Sequence, residues 1–180
     1  WKHGEHKLLK ALNANLPQDI QVQRLEQTNA EFHPRYDALA RTYRYKLYIS
    51  PVRDPLRDRF AWRLDNPPDL ELMNQASNDL LGEHDFTGFG RAVSEGGTTV
   101  RTIEQAVWTR TNDDEMEFLI TGNAFLYHMV RRIVYVSVQI GFAAAPVDII
   151  KTGLQTGNTG IVALAPARGL TLVEVRYAQE

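Results

Sequence analysis

The 180-residue sequence contains no cysteine. Disulfides, thiolate nucleophiles and cysteine-based zinc sites are therefore excluded, and the fold must rest on its apolar core. Long apolar runs are also missing. The best candidate, around residues 133–145, is too short to span a bilayer and carries Gln139. No apolar run follows a basic start at Trp1-Lys2-His3-Gly4-Glu5-His6, so this is not a secretory leader, and with no initiator Met it reads as an internal start. There is no overall basic surplus either: the formal charge is −2, which argues against indiscriminate nucleic-acid binding. His3 and His6 have no clear third ligand, so no metal site is expected. The Gly-rich stretch lacks the Gly-Lys-Ser/Thr ending of a phosphate-binding loop, and Ser94 has no nucleophile elbow around it.

Hydrophobic residues make up 43% of the chain, enough for one sizeable core. Charge is unevenly spread. Residues 31–63 hold eight Lys/Arg and four Asp/Glu, a local surplus of +4 that leaves −6 on the remainder. Such a stripe suits selective RNA contact, and equally a solvated face without a partner.

Periodicity predicts a helix over residues 5–15, stopped by Pro17, and a short strand over 20–25. In the strand 42–49, Tyr43, Tyr45, Leu47 and Ile49 alternate with Thr42, Arg44, Lys46 and Tyr48, giving one aromatic and aliphatic face and one basic and polar face. A second strand follows at 60–64. A helix starts near Asn66-Pro67-Pro68-Asp69, runs to about Leu81 with Leu70, Met73, Ala76, Leu80 and Leu81 inward, and ends at Gly82. Residues 83–99, rich in glycine, read as a loop that is mobile or ligand-dependent. A hairpin over 102–110 and 115–121 follows, then a long helix over 125–142, another helix opening at Pro146, and a final strand over 170–177 with Leu172, Val173 and Val175 apolar. This order indicates an α+β fold: a mainly antiparallel sheet with helices packed on one face and the other free for a ligand.

Three features could carry chemistry. Arg131 lies in the apolar long helix, where helical spacing groups it with Tyr127, Val134, Tyr135 and Val138. A guanidinium there is costly unless a carboxylate or phosphate meets it. It is either an ion pair that fixes packing or a fork that holds a catalytic carboxylate or a phosphate. Tyr43 could stack an unpaired base while neighbouring cations meet phosphates, or it is an ordinary strand residue. His84-Asp85 suggests acid–base chemistry, but adjacent residues rarely share a target. Asp85 as a cap on backbone N–H groups, with Phe86 and Phe89 as loop anchors, is the simpler reading.

Several stretches, in order, resemble the TruA family of tRNA pseudouridine synthases. They include Phe32-His33-Pro34-Arg35-Tyr36, Ala40-Arg41-Thr42-Tyr43-Arg44-Tyr45 and Gly82-Glu83-His84-Asp85-Phe86-Thr87-Gly88-Phe89. Leu12-Asn13-Ala14-Asn15-Leu16-Pro17 with Asp19-Ile20, Val100-Arg101-Thr102-Ile103, Asn123-Ala124-Phe125-Leu126-Tyr127-His128-Met129-Val130-Arg131 and Ala165-Pro166-Ala167-Arg168-Gly169-Leu170-Thr171-Leu172-Val173 complete the set. The resemblance covers nearly the whole chain. Thr42 stands where a second arginine is frequent in the family, and Gly88 where serine is frequent.

The resemblance implies the pseudouridine synthase fold, with an RNA-binding cleft on the sheet face opposite the helices. It implies uridine isomerisation in the tRNA anticodon stem-loop without an organic cofactor, by a homodimer in the cytoplasm. It makes residues 1–30 the tail end of an N-terminal catalytic subdomain and 31–180 the RNA-binding and pocket domain. Arg131 would pair with the nucleophilic aspartate, Tyr43 would pack on the target uracil, and Leu170 would wall the uridine pocket. Arg41 and Arg44 would contact phosphates. The family's nucleophile sits in a Gly-Arg-Thr-Asp motif that occurs nowhere in these 180 residues, and its expected place is shortly before Trp1. The isolated chain is therefore expected to be inactive. A non-catalytic RNA-binding module of the same fold remains the alternative.

Overall fold

The computed structural model describes residues 4–92, 94 and 96–178. His3 of the histidine pair considered above lies outside them. The chain divides into two compact units, Trp1–Asp37 and Ala38–Glu180.

In the first unit, helix α1 spans Glu5–Asn15 and buries none of its residues. Pro17 follows its end and cannot continue the helix. Residues 20–25, expected as a strand, form no ladder. Instead the Asn13 side chain takes both backbone groups of Val22: its Oδ1 accepts from Val22 N at 2.7 Å, and its Nδ2 donates to Val22 O at 2.9 Å. A side-chain amide thus supplies locally what a neighbouring strand would have supplied.

The second unit is α+β. Its sheet contains β1 (Ala38–Ile49), β2 (Trp62–Leu64), β3 (Gly82–Asp85), β4 (Val100–Asn112), β5 (Glu115–Gly122) and β6 (Leu170–Tyr177). The order is β2-β1-β5-β4-β3, and β6 also pairs with β1. All pairs are antiparallel except β1–β2. At twelve residues β1 is long enough for two partners besides β5: residues 38–45 pair with β6, and Leu47, Tyr48 and Ile49 pair with β2. The β4–β5 hairpin turns over Asp113-Asp114.

Directly opposed residues of an antiparallel pair project to one face. Tyr45, Phe118 and Trp108 are therefore one row across β1, β5 and β4, flanked by Tyr43–Ile120–Ala106 and by Leu47–Met116. This face meets helices α2 (Leu70–Ser77) and α3 (Met129–Gly141), with α4 (Ile149–Thr156) beside them. Nine of the thirteen α3 residues are buried, among them Met129, Val130, Ile133, Val134 and Val138. Each such side chain contributes on the order of 1.5–3 kcal/mol, so α3 is held by packing. On the opposite face Tyr48 is fully buried beneath the loop that follows β1: its hydroxyl donates to Asp58 at 2.7 Å, and the Arg57 guanidinium lies over its ring.

Four expectations need correction. The segment read as a loop contains most of β3, paired with β4, and a short 3-10 turn at Thr87–Phe89, with Phe86 just before the turn and Phe89 at its end both fully buried. Its glycines permit the turns, but two aromatic anchors fix the path. Leu81 is exposed, because the helix passes into a 3-10 turn at Asn78–Leu80 that swings it outward. The long helix begins at Met129: Phe125–Tyr127 approach extended, and the chain turns at His128 in the left-handed region (φ 66°). Tyr127 thus leaves the Arg131 stripe and bridges to Arg91. Finally, Leu172 and Val173 on β6 are exposed, at 48% and 42%.

Candidate functional site

Strand β1 fixes Tyr43 and Tyr45 two residues apart on the helix-bearing face. The Tyr43 ring is half-buried and meets Phe125 edge-on, with centroids 5.1 Å apart. Leu170 opens β6 directly opposite Tyr45 and shares its face.

Arg131 comes from α3, where two bonds tie it to the segment leading into β6. Its Nε donates to Ala165 O at 2.7 Å, and its own carbonyl accepts from Ala165 N at 3.1 Å. The next residue, Pro166, accepts from the Tyr45 hydroxyl at 2.7 Å. Ala165-Pro166 therefore clamps α3 to β1, and Leu170 emerges four residues later. Burial raises the Tyr45 phenol well above its ordinary pKa, opposed by the charges of Arg131 and Arg168. Arg131 is only half-buried, and among the described residues it forms no ion pair with a carboxylate. Its terminal nitrogens remain available to an anion.

Arg131 and Leu170 are thus brought together through Ala165-Pro166. Tyr43 lies on the same side, one pleat repeat from Tyr45, with no hydrogen bond or ring–cation contact to Arg131 among the described residues. All three stand on the helix side of the sheet. The opposite side, expected to be free for a ligand, carries Thr42, Arg44 and Lys46. Arg41 is tied to main chain, donating from Nη1 to Ala38 O and Asn123 O. Arg44 stands 4.0 Å from Glu117 across the strands, a loose pair on a partly exposed side chain. His84 and Asp85 share no target: His84 Nε2 bonds Leu81 O, and Asp85 Oδ1 accepts from Thr87 N. Hydrogen bonds from Thr99 and Thr87 hold the Asp85 carboxyl below its ordinary pKa, as befits a cap.

Sequence reasoning missed the support beneath the site. Asp58 is buried and accepts from Tyr48 Oη at 2.7 Å and Arg53 Nε at 2.6 Å, with Arg168 Nη2 3.7 Å away. Arg168 Nε also donates to Ala61 O. The Tyr48 hydroxyl first, then Arg53, hold the Asp58 carboxyl below its ordinary range. This network anchors the 3-10 turn Ala167–Gly169 from which Leu170 departs. Its one sequence signal was the alternation of charge in Arg53-Asp54-Pro55-Leu56-Arg57-Asp58-Arg59. Tyr135, stacked on Trp62 at 6.0 Å, also borders this side.

A family profile described as tRNA pseudouridine synthase matches residues 76–178, which include Arg131 and Leu170. The chain is 38% identical over 176 residues to tRNA pseudouridine synthase A of Limosilactobacillus reuteri, covering 97% of the chain and 69% of that relative. The same-named protein of Limosilactobacillus fermentum is 36% identical over 172 residues, covering 94% of the chain and 67% of the relative. That of Staphylococcus aureus is 37% identical over 166 residues, covering 92% and 62%. The chain thus spans about two thirds of the length of these relatives.

Proposed function

The chain belongs to the tRNA pseudouridine synthase family, and on that premise we propose that it isomerises uridine to pseudouridine in the tRNA anticodon stem-loop. The observation that carries this reading is Arg131: a half-buried guanidinium, fixed through Nε to Ala165 O, without a carboxylate among the described residues. A desolvated carboxylate needs such a cation to stay ionised at neutral pH. We assign that carboxylate to an aspartate outside these 180 residues, in an N-terminal catalytic subdomain of which residues 1–30 would be the tail end, with residues 31–180 as the RNA-binding and pocket domain.

In this scheme the target base leaves the stack, at a cost of a few kcal/mol. Tyr43 packs on the uracil, and Leu170 forms the apolar wall of the uridine pocket. The aspartate acts at the ribose anomeric carbon. The bond from N1 to that carbon breaks, the base turns, and the bond from C5 forms. C5 then loses its proton and N1 gains one, so the reaction is an isomerisation that consumes no cofactor. Tyr43 assists the late proton transfer. Arg41 and Arg44 contact phosphates, and a homodimer in the cytoplasm carries the tRNA across both subunits. No helix among the described residues is long and apolar enough to cross a membrane.

The test is pseudouridine formation on an unmodified tRNA transcript. A protein carrying the upstream aspartate segment turns over, and Arg131→Ala abolishes turnover. The 180-residue chain alone does not turn over; robust catalysis by it would overturn the assignment of the nucleophile. RNA binding without turnover by the longer protein would favour a non-catalytic module.

A further inference from the structure

A second group of cations lies one helical step from Arg131. Successive helix residues point about 100° apart, so Arg132 faces away from the Ala165 clamp. With Gly90, Arg91, Tyr127 and His128 it lines a cavity of about 380 Å³. The cavity is built by a close crossing of two segments. Tyr127 N donates to Arg91 O at 3.0 Å, forming a bridge outside the main ladders. Gly90 makes that crossing possible: a Cβ there would lie 2.7 Å from Leu126 Cβ and 2.9 Å from Tyr127 O. The left-handed turn at His128 sets its ring against Tyr127, with centroids 3.7 Å apart, and the Arg91 guanidinium lies over the Tyr127 ring at 4.8 Å.

Arg91, His128 and Arg132 are thus gathered around one space. Among the described residues neither arginine forms an ion pair, and Arg132 Nε is buried without a hydrogen-bond partner. Gathered like charges are unfavourable unless an anion joins them. His128 registers the effect: burial, then the charges of Arg131, Arg91 and Arg132, push its imidazole below the ordinary histidine pKa. A planar guanidinium beside an orphaned N–H is the donor set that phosphate oxygens accept from in pairs.

We propose that the basin formed by Arg91, Tyr127, His128 and Arg132 binds a backbone phosphate of the RNA substrate, as a subsite separate from the Arg131 pocket. The inference rests on the tRNA-modifying reading above. Its chemistry is positional: the phosphate is clamped on one side of α3 while Arg131 faces the reacting nucleotide on the other, so the register of the RNA strand is set across the helix. Tyr127 holds the guanidinium of Arg91 and the ring of His128 in place.

The test measures binding of an unmodified tRNA transcript by the full chain and its Arg91→Gln/Arg132→Gln variant over a range of salt concentrations. Each lost phosphate-contacting cation lowers the magnitude of the slope of log K against log salt by about 0.7–0.9. The double variant is expected to lose up to about twice that and to bind at least tenfold more weakly at low salt. Should the double variant fail to fold, Arg91→Gln alone, on an exposed side chain, carries the same test with a slope loss of about 0.7–0.9. Unchanged slope and affinity in the variant, with normal wild-type binding, overturn the subsite and leave the proposed function standing. Failure of the wild type to bind tRNA removes both. Inorganic phosphate is the second probe, followed through the His128 imidazole resonances. A millimolar or weaker response supports an RNA phosphate, and micromolar saturation overturns it in favour of a small phosphorylated ligand.

Discussion

Gly169→Ala tests the coupling between the core and the site. Gly169 is buried in the 3-10 turn just before Leu170. Its φ lies outside the left-handed region, so alanine meets no backbone strain there. The obstacle is space alone: an added Cβ would stand 2.6 and 2.7 Å from Tyr45 Cζ and Cε1, and 3.0 Å from Lys46 O. Tyr45 cannot yield cheaply. It is fully buried in the row with Phe118 and Trp108, and its hydroxyl is held by Pro166 O. Overpacking of this kind costs about 1–3 kcal/mol, and with two hard contacts the upper part of that range applies. For a chain of this size roughly 2–3 kcal/mol corresponds to a fall in Tm of about 4–12 °C. The strain is relieved by moving the turn, which displaces Leu170 from Tyr45, so the proposed pseudouridine formation, assayed in the protein carrying the aspartate segment, should fall along with Tm. Thermal melts of Gly169→Ala, Tyr45→Leu and the double variant separate the causes. Tyr45→Leu removes the two ring atoms, so adding alanine at 169 in that background should cost at least about 1 kcal/mol less. An unchanged Tm for Gly169→Ala would refute the reasoning. An identical penalty in both backgrounds would shift the cause from the ring to the Lys46 carbonyl.

Asn74→Ala should destabilise by about 2–3 kcal/mol, read in denaturant titration: beyond the reach of β3, the Trp108 N–H and C=O are satisfied by Asn74 at 2.8 and 2.9 Å, and the variant leaves both without partners. Asp58→Asn should flatten the acid limb of stability. Because the folded Asp58 pKa is depressed, its contribution is fully present above the unfolded carboxylate value near ~3.9 and is lost as pH falls through the folded value. Melts from neutral pH down to acid should converge for the two proteins at the acid end, and parallel curves would contradict this. Arg131→Lys keeps the charge but loses the fork and the Nε bond to Ala165 O. Pseudouridine formation in the protein carrying the aspartate segment should fall at least about a hundredfold, or some 2.7 kcal/mol, with Tm lowered by no more than a few degrees.

Much of this molecule was legible in the chain of letters because the signals were local. Alternation around Tyr43, Tyr45 and Leu47 determined β1, the apolar face of Met116, Phe118 and Ile120 determined β5, and a greasy run around Ile133 determined α3. Arg131 stood out because charge is expensive there, and ordered motifs pointed to its family. Tertiary structure decided the rest, since long-range partners leave no local period. β3 was read as loop because four residues with two glycines nearby carry no pattern, and only pairing with β4 makes them a strand. The turn at His128 broke a helix that periodicity would have continued, sending Tyr127 to Arg91. The clamp of Arg131 on Ala165, the Tyr45 hydroxyl on Pro166 and the Asp58 network join residues separated by 34, 121 and about a hundred positions. Sequence sets what each residue can donate, accept or bury; which groups meet depends on how distant segments close the same core.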